Sequence, residues 1–127
     1  ALDYSQQRTT FGKPISHHQS IGNYLADMAT KISAARLVVY QASWAKQQHY
    51  HSGGPRHTTE ASMAKLLAGD TAMWVSERAV QVLGGYGYTT DFPAERFFRD
   101  AKITQIYEGT QEVQRIVINR AISRERR

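Results

Sequence analysis

Residues 16–49 read SHHQSIGNYLADMATKISAARLVVYQASWAKQQH, and the fold class follows from this stretch. Apolar side chains recur at Ile21, Leu25, Met28, Ile32, Ala35, Val39 and Ala42, in steps of three and four residues. An α-helix gathers that spacing into a single stripe suited to burial, so the pattern predicts one long helix from Ser16 to about His49. Ser16 and Gln19 stand at capping-box spacing, where hydroxyl and amide can satisfy exposed backbone donors. Pro14 just ahead interrupts any earlier helix.

Beyond this helix, His51-Ser52-Gly53-Gly54-Pro55 has the chemistry of a loop. A second long helix is expected from about Thr59 to Leu83, with the stripe Ala64, Ala68, Ala72, Val75, Ala79 and Val82. Its small side chains let a neighbouring helix approach closely. Gly84-Gly85 should stop it. Tyr86 to Phe92 reads as irregular, and Pro93 is suited to open a short helix through about Ala101. A last helix is expected from Thr110, with Thr110 as its cap and Val113, Ile116, Val117 and Ala121 as its buried face. Ala1 to Arg8 reads as the closing turns of a helix that begins outside this sequence. No stretch reads as a strand. The fold class expected is all-α, an up-down bundle of the four-helix type with two long antiparallel helices.

Composition narrows the function classes. The 127 residues suit one domain, and 41% hydrophobic with 21% charged residues is ordinary for a globular protein. No apolar run approaches the roughly 20 residues needed to cross a bilayer. The opening Ala1-Leu2-Asp3-Tyr4-Ser5 lacks the basic and apolar regions of a secretory signal. With no cysteine there is neither a disulfide nor a thiolate metal site. The net charge of +5 is spread among interspersed acids, the one basic cluster is Arg124-Glu125-Arg126-Arg127, and no nucleic-acid motif accompanies it. His17, His18, His49, His51 and His57 lack the paired spacing of a metal site and read as surface or loop residues. Trp44 and Trp74 read as packing or interface anchors, and Arg99 and Asp100 as helix-end charges.

Six short motifs remain, in this order: Arg8-Thr9-Thr10-Phe11-Gly12-Lys13-Pro14-Ile15, Leu25-Ala26-Asp27-Met28, Ala61-Ser62-Met63-Ala64-Lys65, Gln81-Val82-Leu83-Gly84-Gly85-Tyr86-Gly87, Arg99-Asp100-Ala101-Lys102 and Ile106-Tyr107-Glu108-Gly109-Thr110. Together they resemble the C-terminal domain of acyl-CoA dehydrogenases of the short- and medium-chain type, over essentially the whole chain. The resemblance implies a bundle at the core of a homotetramer or dimer, with an N-terminal helical domain and a middle β-domain outside these residues. It implies α,β-dehydrogenation of an acyl-CoA thioester to the trans-2-enoyl product. FAD is the implied cofactor and electron-transfer flavoprotein the implied acceptor. The implied compartment is the cytoplasm of a bacterium or the mitochondrial matrix. These residues alone are expected to be inactive.

Glu108 is the implied catalytic base. The following helix's positive amino end favours a negative charge there, whereas burial against Tyr107 and an acyl chain would disfavour it. Without the resemblance, Glu108 is a surface loop carboxylate. Tyr107 and Gly109 are the implied substrate contacts. Arg8 is the implied clamp on FAD across a subunit boundary, with Phe11 nearby and Gln19 as a further FAD contact; an arginine fork suits a pyrophosphate. Gln81, Val82, Leu83, Gly84 and Gly85 would approach the adenosine part of a neighbour's FAD. Thr110, Gln111 and Glu112 would contact the flavin of the same subunit. Each has a plainer alternative: a helix-end arginine, an anchoring phenylalanine, a cap, a glycine helix stop, a capped first turn.

Overall fold

The computed structural model describes residues 1–54 and 56–124. Pro55, in the expected loop, and Glu125, Arg126 and Arg127, in the expected basic tail, lie outside the described residues. Among those described, six helices follow in order: α1 Leu2–Gln7, α2 Gln19–Ser52, α3 Thr58–Leu83, α4 Gly85–Tyr88, α5 Ala94–Ile103 and α6 Gln111–Arg124. A small antiparallel hairpin, β1 Thr9–Thr10 and β2 Lys13–Pro14, joins α1 to a single 3-10 turn at Ile15–His17.

The all-α expectation holds, and both long helices run close to their expected bounds. α2 and α3 pack along each other, and α3 also meets α5 and α6, so α3 is the spine of the bundle. Buried Met28, Ala35 and Ala42 of α2 recur at seven-residue intervals on the expected stripe. α3 buries Ser62, Ala64, Gly69, Thr71, Ser76, Val82 and Leu83, mostly small side chains that permit close approach. At about 1.5 Å per residue, α2 is about 51 Å long and α3 about 39 Å.

Several local expectations need correction. Ser16 does not cap α2: it sits in the 3-10 turn, and the cap position is His18, without a side-chain cap bond. His18 is instead pinned through its Nε2 to Thr10 Oγ1 at 3.0 Å and Thr10 O at 3.2 Å. His49 is likewise tied, Nδ1 to Gly54 O at 2.7 Å. Two strands form where none was expected, because a two-residue turn at Phe11 (φ 51°) and Gly12 (φ 79°) closes the hairpin. The segment after Leu83 is not wholly irregular, since Gly85–Tyr88 makes one helical turn. Arg99 pairs with Glu95 one turn back, at 2.8 Å.

The expected faces of α2 and α6 are only partly covered. Val113 and Ile116, assigned to the buried face of α6, are exposed, as are Ile32 and Val39 of the α2 stripe. Leu37, Tyr40 and Trp44 also stand exposed on α2, with Trp44 61% accessible. No helix among the described residues is long and apolar enough to cross a membrane.

Candidate functional site

The loop between α5 and α6 carries Tyr107, Glu108 and Gly109. Glu108 has φ 54°, one of two described non-glycine residues with positive φ, and Gly109 follows at φ 88°. A left-handed residue bearing a side chain persists only where its surroundings impose it, and such positions concentrate at functional sites. Several bonds hold this backbone. Gln111 N donates to Gln105 O at 3.1 Å, closing the loop at its base. Gln114 Nε2 donates to Glu108 O at 3.3 Å and to Gly109 O at 3.2 Å. A Cβ on residue 109 would stand 2.6 Å from Gln114 Nε2, so a side chain there is strained by angle and displaces the Gln114 amide from the loop.

Glu108 and Tyr107 line a groove of about 380 Å³ with Lys65, Ala68, Gly69, Ala72 and Thr104. Small residues of α3 form its wall, and Gly69 lets the loop come close: a Cβ there would meet Thr104 O at 3.2 Å and Gln111 Nε2 at 3.0 Å. The expected burial of Glu108 against Tyr107 is absent within this chain, where both residues are exposed. Lys65 Nζ is buried and has no hydrogen-bond partner among the described residues.

Thr110 caps α6 as expected, accepting from Val113 N at 3.4 Å. Glu112, in the first turn, is held below the ordinary carboxylate range by its own backbone N–H and then by the Thr110 hydroxyl. Gln111 is 4% exposed and faces inward. Its Nε2 donates to Leu66 O and to Asp70 Oδ1, each at 2.9 Å. Both amide hydrogens and the backbone N–H are therefore committed to holding the loop, while Oε1 is buried without a hydrogen-bond partner among the described residues. Thr110, Gln111 and Glu112 line a second, polar hollow on the other side of the loop, with Asp70, Lys102 and Arg115.

A separate cleft of about 520 Å³ brings Arg8 together with Val82, Leu83, Gly84 and Gly85, as well as Thr10, Tyr86 and Asp91. The Arg8 guanidinium lies 5.9 Å from the Tyr86 ring centroid. Tyr4, Tyr86 and Phe92 meet edge-on or tilted beneath it, with centroids 5.7 to 6.4 Å apart. Cβ atoms added at Gly84 or Gly85 would meet nothing within 4 Å, so the backbone there is open to an approaching group. The cleft thus offers one cation, an aromatic floor and bare backbone, which fits the adenosine diphosphate portion of a dinucleotide. Asp91 on its rim opposes an anion, and Arg8 is the group that offsets it.

Three sequence candidates stand apart from these places. Phe11, at the hairpin tip, is 97% exposed and packs only edge-on against His18, so it anchors nothing within the chain. Gln19 opens α2 and is exposed. Gln81 lines a different hollow, with Glu77, Val80, Tyr88, Glu95, Phe98 and Arg99. Asp70, Gln105, Lys65 and Tyr86 join the two places without having been expected from the sequence. Lys65 and Tyr86 carried a signal, each lying within one of the six motifs, whereas Asp70 and Gln105 carried none.

Comparisons with known proteins identify the family. Residues 1–123 match the family model described as acyl-CoA dehydrogenase, C-terminal domain. Cyclohexane-1-carbonyl-CoA dehydrogenase of Geobacter metallireducens is 51% identical over 124 residues, covering 98% of this chain and 31% of that protein. The structure of butyryl-CoA dehydrogenase from Megasphaera elsdenii superposes with a TM-score of 0.89 at 50% identity, covering 95% of this chain and 30% of that one. The FAD complex of PigA superposes with the same TM-score at 29% identity, covering 96% and 30%. The chain therefore spans just under a third of these relatives. By the family match over nearly its whole length, and by the identity and superposition that accompany it, this chain belongs to the acyl-CoA dehydrogenase family, in the part that forms its C-terminal domain.

Proposed function

We propose that the chain is the C-terminal domain of an FAD-dependent acyl-CoA dehydrogenase, in which Glu108 removes the α-proton of the thioester substrate. The observation that carries this reading is the left-handed backbone of Glu108 at the mouth of the groove walled by Ala68, Gly69 and Ala72. An acyl chain fits such a wall, and the carboxylate beside it meets the carbon next to the thioester carbonyl. The Cα–H proton passes to the Glu108 carboxylate, the Cβ hydrogen leaves as hydride, and the carbon–carbon double bond forms between them. FAD, when bound, supplies the hydride acceptor, and electron-transfer flavoprotein is the proposed onward acceptor. Tyr107 and Gly109 border the substrate, while Thr110 and Glu112 face the flavin of the same subunit. Arg8, with Val82 to Gly85, serves the cofactor of a neighbouring copy, and Phe11, Gln19 and Gln81 are proposed as further contacts to it from outside this cleft. An N-terminal helical domain and a middle β-domain supply the rest of the pocket.

In the intact enzyme loaded with FAD, Glu108→Gln keeps the shape and flavin but loses the base. Its turnover is expected to fall by about 10²- to 10⁴-fold, the span typical of a positioned general base. Unchanged turnover with full flavin content removes Glu108 from the reaction.

A second reading, that the bundle also serves assembly, is favoured by the exposed Leu37, Tyr40 and Trp44 of α2 and Val113 and Ile116 of α6. Apolar side chains grouped on helix faces mark interfaces. A homo-oligomer, dimer or tetramer, is the assembly proposed, and it coexists with the catalytic reading.

A further inference from the structure

We propose that Asp70, on α3, is a positioning residue for Glu108, an inference that rests on the reading of Glu108 as the base. Asp70 is the point at which α3 grips both ends of the loop. Its Oδ1 accepts from Gln105 Nε2 at 2.7 Å, three residues before Glu108. The same oxygen accepts from Gln111 Nε2 at 2.9 Å, three residues after it. Its Oδ2 accepts from Arg115 Nη2 at 3.4 Å, on the next turn of α6. Gln105 is fixed at its other end as well, since Lys102 Nζ donates to its Oε1 at 2.9 Å. The two residues that Oδ1 holds are also joined to each other, Gln111 N to Gln105 O. One carboxylate oxygen therefore clamps a closed loop whose tip is Glu108.

The clamp matters because the tip is strained. A side-chain-bearing residue in the left-handed region relaxes toward ordinary backbone once its supports loosen, and the carboxylate then swings away from the groove. Proton abstraction tolerates little of this, and a misplacement of about 1 Å can cost about a hundredfold in rate. The chemistry also yields a specific discrimination. Asparagine retains an Oδ1 acceptor for both glutamine amides and gives up only the longer contact to Arg115. Leucine keeps the volume and gives up all three.

The test compares wild type, Asp70→Asn, Asp70→Leu and Gln105→Met in the intact, FAD-loaded enzyme by two measurements. The first is amide hydrogen exchange over residues 104–111, which needs no turnover. It is expected to quicken about tenfold or more in Asp70→Leu, less in Gln105→Met, and hardly at all in Asp70→Asn. The second uses whichever straight-chain saturated acyl-CoA the wild type turns over fastest, with and without deuterium at the α-carbon. Asp70→Leu is expected to lose about 10- to 100-fold in kcat with KM little changed. Its α-deuterium isotope effect should rise, because proton removal becomes slower than the other steps; Asp70→Asn should restore both. Unchanged loop exchange in Asp70→Leu, or quicker exchange with kcat and isotope effect unaltered, overturns the inference. So does a fall in kcat that follows flavin loss alone. Should Asp70→Leu fail to fold, the same results in Gln105→Met support or overturn the inference in its place. The two readings fail separately: full turnover by Glu108→Gln removes the base, whereas an inactive Glu108→Gln beside a normal Asp70→Leu removes only the clamp.

Discussion

Gly109→Ala should destabilise the chain by about 2 kcal/mol, from two contributions that the structure separates. Residue 109 has φ 88°, and an L-residue held in this region costs about 1–2 kcal/mol. Alanine also restricts the unfolded chain, which returns about 0.4–1 kcal/mol, so the backbone contribution nets about 1 kcal/mol. The second contribution is contact. The new Cβ would lie 2.6 Å from Gln114 Nε2, the end of a flexible side chain, which swings away and releases its bonds to Glu108 O and Gly109 O. Those bonds are long, and at about 0.5 kcal/mol each they add about 1 kcal/mol. Urea unfolding followed by circular dichroism, at fixed protein concentration, should show the midpoint fall by about 1 M for a slope of about 2 kcal/mol/M. Gly12→Ala is the control, because its φ is 79° but a Cβ there would meet nothing within 4 Å; its loss should be about half as large. In a Gln114→Ala background the contact vanishes, and Gly109→Ala should cost only the backbone contribution, leaving a coupling of about 1 kcal/mol. Equal losses for Gly109→Ala and Gly12→Ala, with no coupling to Gln114, would mean that the contact contributes nothing and that Gln114 does not support the loop.

Two further expectations concern the amino end of α6. In a carbon-detected titration, Glu112 should show a midpoint below that of an ordinary glutamate, and Thr110→Val should raise it only partway, because the larger cause is the residue's own backbone N–H. A depressed carboxylate contributes stability above its unfolded value and loses it as pH falls through the folded one, so the contribution of Glu112 should be lost as pH falls below the ordinary glutamate range. Thr110→Val should be less stable than wild type at every pH through the lost cap, and the gap should narrow as pH falls and the Glu112 contribution disappears.

The elements were legible because periodicity reports burial directly. Met28, Ala35 and Ala42 lie on the expected stripe and are buried, and the glycine pair ends α3 where turn chemistry says it should. The failures have two causes. Ser16 has the composition of a cap, but the hairpin before it delivers the chain to α2 through a 3-10 turn, and the tertiary bonds of His18 to Thr10 set where the helix starts. Val113, Ile116 and Val39 have the right spacing but remain exposed, because periodicity identifies a face and not the partner that covers it. For the site, Glu108 was legible through its motif, whereas Asp70 was not. Its contacts join positions 35 and 41 residues apart, and no local pattern records such a pairing. Gln111 illustrates a related point: it was expected from the sequence as a cofactor contact, and its amide nitrogen also ties the loop to α3.

The two groups of candidate residues lie at different levels of one helix, and that division is testable. Ala72 borders the Glu108 groove and Val82 the Arg8 cleft, so about 15 Å of α3 separates them, and the two share no lining residue. On the proposed reading, each complete site takes Glu108 from one copy and Arg8 from its neighbour. Arg8→Ala alone should then lose flavin and turnover, and Glu108→Gln alone should keep flavin but not turn over. Assembled together from equal amounts of unfolded chains, the two inactive variants should regain activity. In a mixed pair, the site on the Arg8→Ala copy has its own Glu108 and borrows an intact Arg8, while the other site lacks both. Random pairing makes about half the pairs mixed, each with one intact site of two, so about a quarter of wild-type activity should return. If Arg8 and Glu108 instead served the same copy's site, every site in every mixture would carry one lesion or the other. Recovery no greater than the sum of the separate variants would then place both residues in one subunit's pocket and overturn the division.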